Sequence, residues 1–498
     1  MKVRLLSTVS GYQKELFDIV EIFLGPVEKT EDPNGPSDLN IHMSEHADGG
    51  LRVCAVRLSG LYTVECVNKT AMTKGALEEK RLHKRQQKLV LYDALVQSSG
   101  QRPPWGSLTG IRPTRLVYDA MNDGASLNDA IKKVRDTFHL TQEKARLLFE
   151  IITVQQSLKP ADGNEIACYI GIPFCLSRCR YCSFLSREAG DGSLLPEYTQ
   201  ALMREIRGTI ALMGSRCLRV RSVYIGGGTP TVLSESLLEQ VLAAANPIFA
   251  QADEVTVEAG RPDTITPGKL RVMKDSGVQR ISVNPQTMHD RTLELVGRGH
   301  TAQQTVAAFN LARETGFSHI NTDLIAGLPG ETLPMFDSTL RQVLSMQPES
   351  ITVHTLSVKR SSDMYRYGDK LPEGGEVEKM VNLAHGQLGL HHYQPYYLYR
   401  QKHMAGNLEN VGYAKQGYAC LYNIDMMEDQ TTVLAMGAGA ASKRVWPGRK
   451  RVLRAVNVKD TDHYITRVDE MLERKNALFE GIGKGVKAPA AEDDSNED

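Results

Sequence analysis

The chain has 498 residues, enough for two or three domains with full hydrophobic cores. Its 59 Lys and Arg balance 59 Asp and Glu, so no net field draws it to nucleic acid or to an anionic membrane. No apolar run approaches the roughly 18 residues of a membrane span. The start, Met1-Lys-Val-Arg-Leu-Leu-Ser, is interrupted at Gln13, Lys14 and Glu15, unlike a signal peptide. A cytoplasmic protein in a reducing setting is therefore expected. Five of the eight cysteines (Cys54, Cys66, Cys168, Cys217 and Cys420) are scattered and read as small hydrophobes.

In chain order, Val53 to Val67 alternates and predicts a hairpin broken at Gly60. Lys74 to Gln97 predicts a charged helix with Leu89, Leu91, Leu95 and Val96 on its apolar side. Turn signals follow from Trp105, and Ser126 to Leu158 is helical. Residues 1–160 thus form a small α+β accessory domain.

From about 165 short β-branched runs alternate with helical patterns. Predicted strands are Ile166–Ile172, Ser222–Ile225, Glu254–Glu258, Arg280–Val283, His319–Ile325 and Ser350–His354. Thr266 can N-cap a helix that has Pro267 in its first turn and Gly277 beyond its end. Thr301 to Gln304 fits a capping box, with Gly316 closing that helix. Six β/α units in a row predict an α/β fold, a partial (β/α)6 barrel of parallel strands over residues 161–380. A C-terminal α+β extension over 381–485 is expected to cover the substrate. An acidic disordered tail, 486–498, ends the chain.

The most specific signal is Cys175-Leu-Ser-Arg-Cys179-Arg-Tyr-Cys182. This C-x3-C-x2-C spacing arises by accident in about two such chains per thousand. Three thiolates suit three irons of a [4Fe–4S] cluster and leave the fourth iron without a protein ligand, open to a small molecule. A zinc site would want a fourth Cys or His at a regular offset, and a disulfide would imply export. Gly226-Gly-Gly-Thr-Pro-Thr231 follows the second strand and lets backbone approach a ligand closely. It is neither a P-loop nor a dinucleotide fingerprint; a tight turn is the plain alternative. Cys175, the triple glycine, Glu258, Gln286 and Asp323 all fall near the C-terminal ends of predicted strands, the rim where barrel chemistry belongs.

The cysteine motif followed by the triple glycine resembles the radical S-adenosylmethionine (SAM) superfamily. Tyr224-Ile-Gly-Gly-Gly-Thr-Pro-Thr231, Val257-Glu-Ala-Gly-Arg-Pro-Asp263, Arg280-Ile-Ser-Val-Asn-Pro-Gln286, Gly297-Arg-Gly-His300 and Thr322-Asp-Leu-Ile-Ala-Gly-Leu-Pro329 are similar to the oxygen-independent coproporphyrinogen III oxidase group. The Glu-Ala-Gly-Arg-Pro phrase and the Cys182-Ser-Phe ending resemble its coproporphyrinogen dehydrogenase branch, HemZ. The resemblance implies Cys175, Cys179 and Cys182 as cluster ligands. It implies Tyr169, Tyr181, Gly227, Glu258, Gln286, Arg298 and Asp323 as SAM contacts, and Gly228 and Thr229 as positions lining a second SAM. It further implies that electron transfer from the cluster breaks the S–C5′ bond and yields a 5′-deoxyadenosyl radical.

The implied activity is oxidative decarboxylation of two propionates of coproporphyrinogen III, giving protoporphyrinogen IX in haem biosynthesis. A tetrapyrrole substrate, reduced flavodoxin or ferredoxin as electron donor, and a monomer are expected. Candidate cations for the substrate carboxylates are Lys359, Arg360, Arg400, Lys402 and His403, with Lys443 and Arg444. Phe184 and Gly171 stand where the best-known oxidases of the group have Cys and His. A haem chaperone of this scaffold would carry a His-Asn-x-x-Tyr-Trp phrase; the matching stretch here is Cys420 to Met427. A methyltransferase using the same radical is the remaining alternative.

Overall fold

The computed structural model describes the chain apart from residues 8–10, 31, 33–34, 73–74, 111, 185, 360, 370, 402–403, 447–450 and 481–498. It divides into two compact units. One comprises Met1–Phe149 with Gly406–Leu408; the other comprises Glu150–Ala405 and, among the described residues, 409–480.

The first unit has a five-stranded sheet ordered Glu28–Thr30, Lys2–Ser7, Leu39–Asp48, Leu51–Gly60 and Val64–Ala71. The expected hairpin is present, with Leu51–Gly60 antiparallel to Val64–Ala71. Gly60 has φ +101°, and a Cβ there would lie 2.5 Å from the Asp38 carbonyl oxygen, so only glycine fits the bend. Helices Gln13–Leu24 and Ala76–Ser99 bury Ile19, Val20, Leu91 and Leu95 against Val3, Ile41, Val56 and Leu58. The apolar stripe of the second helix is rotated from the expected one. Val90, Leu91, Ala94 and Leu95 are buried, while Leu89 and Val96 lie at its edge. Lys74, where this helix was expected to start, lies outside the described residues.

In the second unit all six expected strands form within two or three residues of their predicted ends. They are β1 (Glu165–Ile172), β2 (Arg219–Gly227), β3 (Glu254–Gly260), β4 (Arg280–Val283), β5 (His319–Ala326) and β6 (Ser350–Thr355). Every neighbouring pair from β1 to β6 is parallel. Helices α1 (Leu195–Ser215), α2 (Glu235–Phe249), α3 (Pro267–Asp275), α4 (Ala302–Glu314) and α5 (Leu333–Ser345) join them in turn. Thr266 caps α3 through the Lys269 N–H, and Thr301 and Gln304 close the capping box of α4.

Five further strands extend this sheet at both edges: β7 (Gln394–Tyr399), β8 (Asn410–Ala414), β9 (Thr432–Met436), β10 (Ala441–Trp446) and β11 (Arg451–Val456). The order is β7-β8-β6-β5-β4-β3-β2-β1-β9-β10-β11. The segment after 380, where the β/α rhythm fades in the sequence, thus joins the barrel sheet, and β9 runs parallel to β1. Its place explains Gly171. A Cβ there would sit 3.2 Å from the Tyr169 ring and 3.3 Å from the Met436 carbonyl oxygen of β9.

Period-two alternation sorts the strands into two faces. Cys168, Ile170, Val223, Ile225, Val255, Val257, Ile281 and Ile320 pack in one apolar core with the helices. The opposite face presents Tyr169, Tyr224, Glu258, Asp323 and His354. On that face the hydroxyls of Ser222, Thr256 and Ser282 are buried and without a hydrogen-bond partner, which keeps the sheet's concave side polar.

Candidate active site

The cysteine loop leaves the end of β1. Phe174–Cys175 pairs with Arg187–Glu188 in a two-stranded ribbon, and the Cys182 N–H donates to the Cys179 carbonyl. All three thiols are half-buried and unpaired as disulfides. Burial pushes the Cys175 thiol up, while hydrogen bonds from Thr229 and Ser186 oppose that rise. The Cys182 thiol is likewise raised, first by burial and then by its two neighbouring cysteines. Among the described residues, no three His, Cys, Asp or Glu side chains converge to hold a single metal ion. Thiolates that each bind a different iron need no such convergence.

The triple glycine is laced to this loop. The Gly228 N–H donates to the Ile172 carbonyl at 2.9 Å and the Thr229 N–H to the Phe174 carbonyl at 2.7 Å. A Cβ on Gly228 would collide with the Phe174 backbone, 2.7 Å from its nitrogen. Thr229 is buried and its hydroxyl donates to Cys175 Sγ at 3.6 Å. Gly227 has φ +110°, and a Cβ there would lie 3.1 Å from the Tyr169 hydroxyl. The glycines thus shape the second layer of the loop as well as its exposed rim.

Two arginines clamp the loop from the other side. Arg298 is buried and donates to the Tyr181 hydroxyl at 3.0 Å and the Asn284 carbonyl at 2.6 Å, with Cys179 Sγ at 3.9 Å. Arg261 donates to the Ser177 carbonyl and hydroxyl at 3.0 and 2.8 Å, and pairs with Asp263 at 2.6 Å. Arg261 lies inside the Glu-Ala-Gly-Arg-Pro phrase, where nothing in the sequence marks its contact with Ser177. Next to Arg298, its own Nε and the Asn284 Oδ1 are buried and have no partner. One donor and one acceptor beside the cysteine loop are the complement of a polar ligand.

Across the rim lie the carboxylates. Burial raises Glu258 to about 7, against hydrogen bonds from the Tyr224 hydroxyl and the Gly227 backbone. Burial also pushes Asp323 up, but hydrogen bonds from His354 and Asn321 win and hold it below its ordinary value. Asn321 donates to Asp323 at 2.8 Å and His354 lies 3.7 Å away. One carboxyl is thus half-protonated near neutrality while its neighbour stays ionised. Gln286, at φ +69°, is fixed between the Asp323 carbonyl at 2.9 Å and the Ile325 N–H at 3.0 Å. Its backbone bridges β4 and β5 at the level of Asp323.

A wall of tyrosines completes this face of the sheet. Tyr224 stacks on Tyr422, with ring centroids 4.6 Å apart, and Tyr169 lies 6.1 Å from Tyr422. Tyr422 belongs to α6 (Leu421–Glu428), in the stretch that matches the chaperone phrase. Tyr224, His354 and Tyr422 were not singled out in the sequence. The signal for the first two was their parity with Glu258 and Asp323 along the strands.

The substrate cations fare differently. Lys443 is buried against Asp429 at 2.5 Å and the Met426 carbonyl at 2.9 Å, so it is a structural charge. Arg444 donates to the Leu478 and Phe479 carbonyls at 3.0 and 2.8 Å, at the end of the last helix. Arg400 is buried, and burial lowers it to about 10 against the opposing pull of Glu409. Lys359 is half-buried; Arg360, Lys402 and His403 lie outside the described residues.

Comparison with known proteins adds to this geometry. Residues 169–343 match the model of the Radical SAM superfamily. The oxygen-independent coproporphyrinogen-III oxidase-like protein HemZ of Bacillus subtilis is 38% identical over 402 residues, 79% of this chain and 80% of that protein. The chain belongs to the radical SAM superfamily, in this oxidase-like group. The group's heme chaperone HemW of Bacillus subtilis is 32% identical over 61% of this chain and 76% of its own. Among solved structures, coproporphyrinogen III oxidase (HemN) from Escherichia coli shares the fold, with a TM-score of 0.52 at 23% identity over 67% of this chain and 74% of that one. As a radical SAM protein the chain uses a [4Fe–4S] cluster and SAM. The three-thiol loop, the orphaned Arg298 Nε and Asn284 Oδ1, and the Glu258–Asp323 rim fit those two groups.

Proposed function

We propose that this chain converts coproporphyrinogen III to protoporphyrinogen IX by oxygen-independent oxidative decarboxylation of two propionates. The observation that carries the reading is the 38% identity to the oxidase-like HemZ over 80% of that protein. The propionate β C–H is unactivated. Bound at the three thiols, the cluster with SAM supplies the hydrogen abstraction such a bond requires.

In this reading Cys175, Cys179 and Cys182 hold the cluster, while Thr229 and Arg298 contact Cys175 and Cys179 from opposite sides. Arg298 and Asn284 offer a donor and an acceptor to the methionyl end of SAM. Tyr181 positions the Arg298 guanidinium. Asp323 and Glu258 face the ammonium and ribose hydroxyl groups, and the backbones of Gly227 and Gln286 flank them. Tyr169, Tyr224 and Tyr422 form a flat aromatic face that excludes water from the reacting carbon. The segment from 381 covers the substrate, and a reduced flavodoxin or ferredoxin supplies electrons.

A haem chaperone is the second reading, favoured by the 32% identity to HemW. Anaerobic incubation with coproporphyrinogen III, SAM and a reductant separates the two by product mass. Loss of two CO2 and four hydrogens, with cleavage of SAM, supports the oxidase. Tight haem binding with no tetrapyrrole turnover supports the chaperone, and a gain of CH2 supports a methyltransferase.

A further inference from the structure

The rim carboxyls Glu258 and Asp323 stand on the concave face, and among the described residues neither forms an ion pair with a lysine or arginine. The basic side chain beside them is His354, near the C-terminal end of β6. Its Nε2 lies 3.7 Å from Asp323 Oδ2, while Asn321 donates to Asp323 Oδ1 at 2.8 Å. Its Nδ1 lies 3.4 Å from the hydroxyl of Tyr399, the last residue of β7. The Tyr399 ring stacks on that of buried Tyr397, with centroids 6.3 Å and planes 12° apart, which limits where its hydroxyl can go. Burial raises both carboxyls. His354 opposes this at both, at Asp323 by hydrogen bond and charge and at Glu258 by charge. The His354 and Asp323 side chains are 26% and 21% exposed, so the pair opens onto the concave face instead of being sealed in the core.

A carboxylate held at one oxygen can still turn about its last bond. Asn321 supplies one hold, and a donor at Oδ2 supplies the second. A lysine or arginine there would cancel the charge that a cationic ligand needs. A neutral imidazole N–H fixes the same oxygen and leaves the charge in place. We propose that His354 is a positioning residue for SAM: the Tyr399 hydroxyl donates to Nδ1, the proton stays on Nε2, and Nε2–H holds the Asp323 carboxylate toward the cofactor. This deepens, and rests on, the reading that Asp323 contacts SAM. The contact between His354 and Asp323 tightens to a full hydrogen bond when a ligand fixes the far side of the carboxylate.

Equilibrium dialysis of SAM against the iron-loaded full chain tests this. His354→Phe keeps a ring and loses the donor, so the Kd should rise about fivefold or more. In His354→Gln the amide NH2 stands in for Nε2–H, and the Kd should stay within about twofold of the parent. Tyr399→Phe frees the tautomer and should weaken binding about threefold in the parent, with no further loss in His354→Phe. Iron content and melting temperature should match the parent in every variant. Unchanged affinity in His354→Phe overturns the proposal, as does an equal loss in His354→Gln, a loss that only follows the iron content, or full additivity with Tyr399→Phe. In each of those cases SAM binding by the parent leaves the cofactor assignment standing. A parent that does not bind SAM overturns both.

Discussion

Glu258 and Asp323 show how two like residues on one polar face acquire different protonation. Glu258 is raised to about 7 from the ordinary 4.5 because burial outweighs the hydrogen bond from Tyr224. Its folded value exceeds its unfolded one, so its contribution to stability is full below about 4.5 and is lost as pH rises to about 7. Glu258→Gln should flatten the melting temperature of the cluster-free chain across that window; a profile of unchanged slope would show that Glu258 is not the titrating group. The cysteines allow a second test. Anaerobic reconstitution should give about four irons per chain, lost when Cys175, Cys179 or Cys182 becomes Ala. Cys217→Ala should keep its iron, since Cys217 is exposed and lies outside the loop. Arg298→Ala removes a donor beside Cys179 and should weaken SAM binding about tenfold, or ~1.4 kcal/mol. Equilibrium dialysis of SAM against the iron-loaded variant measures this, and an unchanged affinity would separate Arg298 from the cofactor.

At the scale of elements, the six barrel strands were legible because β-branched runs bounded by caps and glycines carry their own signal. The rim residues were legible through their place at strand ends. The edges were not. β9 is a five-residue run, Thr432–Met436, with no alternation to mark it, and it earns its place by pairing with β1. Arg261 was read as part of a phrase, because only the folded chain brings it to Ser177, 84 residues away in sequence. Lys443 and Arg444 look like a basic surface pair in sequence but are consumed by Asp429 and by helix carbonyls. The lacing of the triple glycine to the cysteine loop makes a sharp prediction. Gly228→Ala forces a Cβ against the Phe174 backbone and should cost roughly 1–3 kcal/mol in urea unfolding. It should also lower iron incorporation, because Phe174 adjoins Cys175. Normal stability and iron content in that variant would contradict the lacing.

At the scale of the molecule, the second unit is closed by α7 (Val468–Glu480), whose Lys475 is buried against Glu205 of α1. Glu205 also accepts from Tyr464 at 2.5 Å, Asn457 at 2.7 Å and the Gly437 N–H at 2.7 Å. One carboxylate thus ties the C-terminal segment to the barrel, and half the network cannot be removed without leaving a buried charge. Replacement of Lys475 by Met should cost ~3–5 kcal/mol of stability. The tyrosine wall and the carboxylate rim lie on one face of the sheet, near the thiol loop, and SAM is expected to bind the cluster there. Electron paramagnetic resonance of the reduced, oxygen-free protein tests this most directly. Addition of SAM should shift the cluster's spectrum in the parent and leave it less changed in Arg298→Ala; a spectrum of the parent that does not respond to SAM would contradict the account.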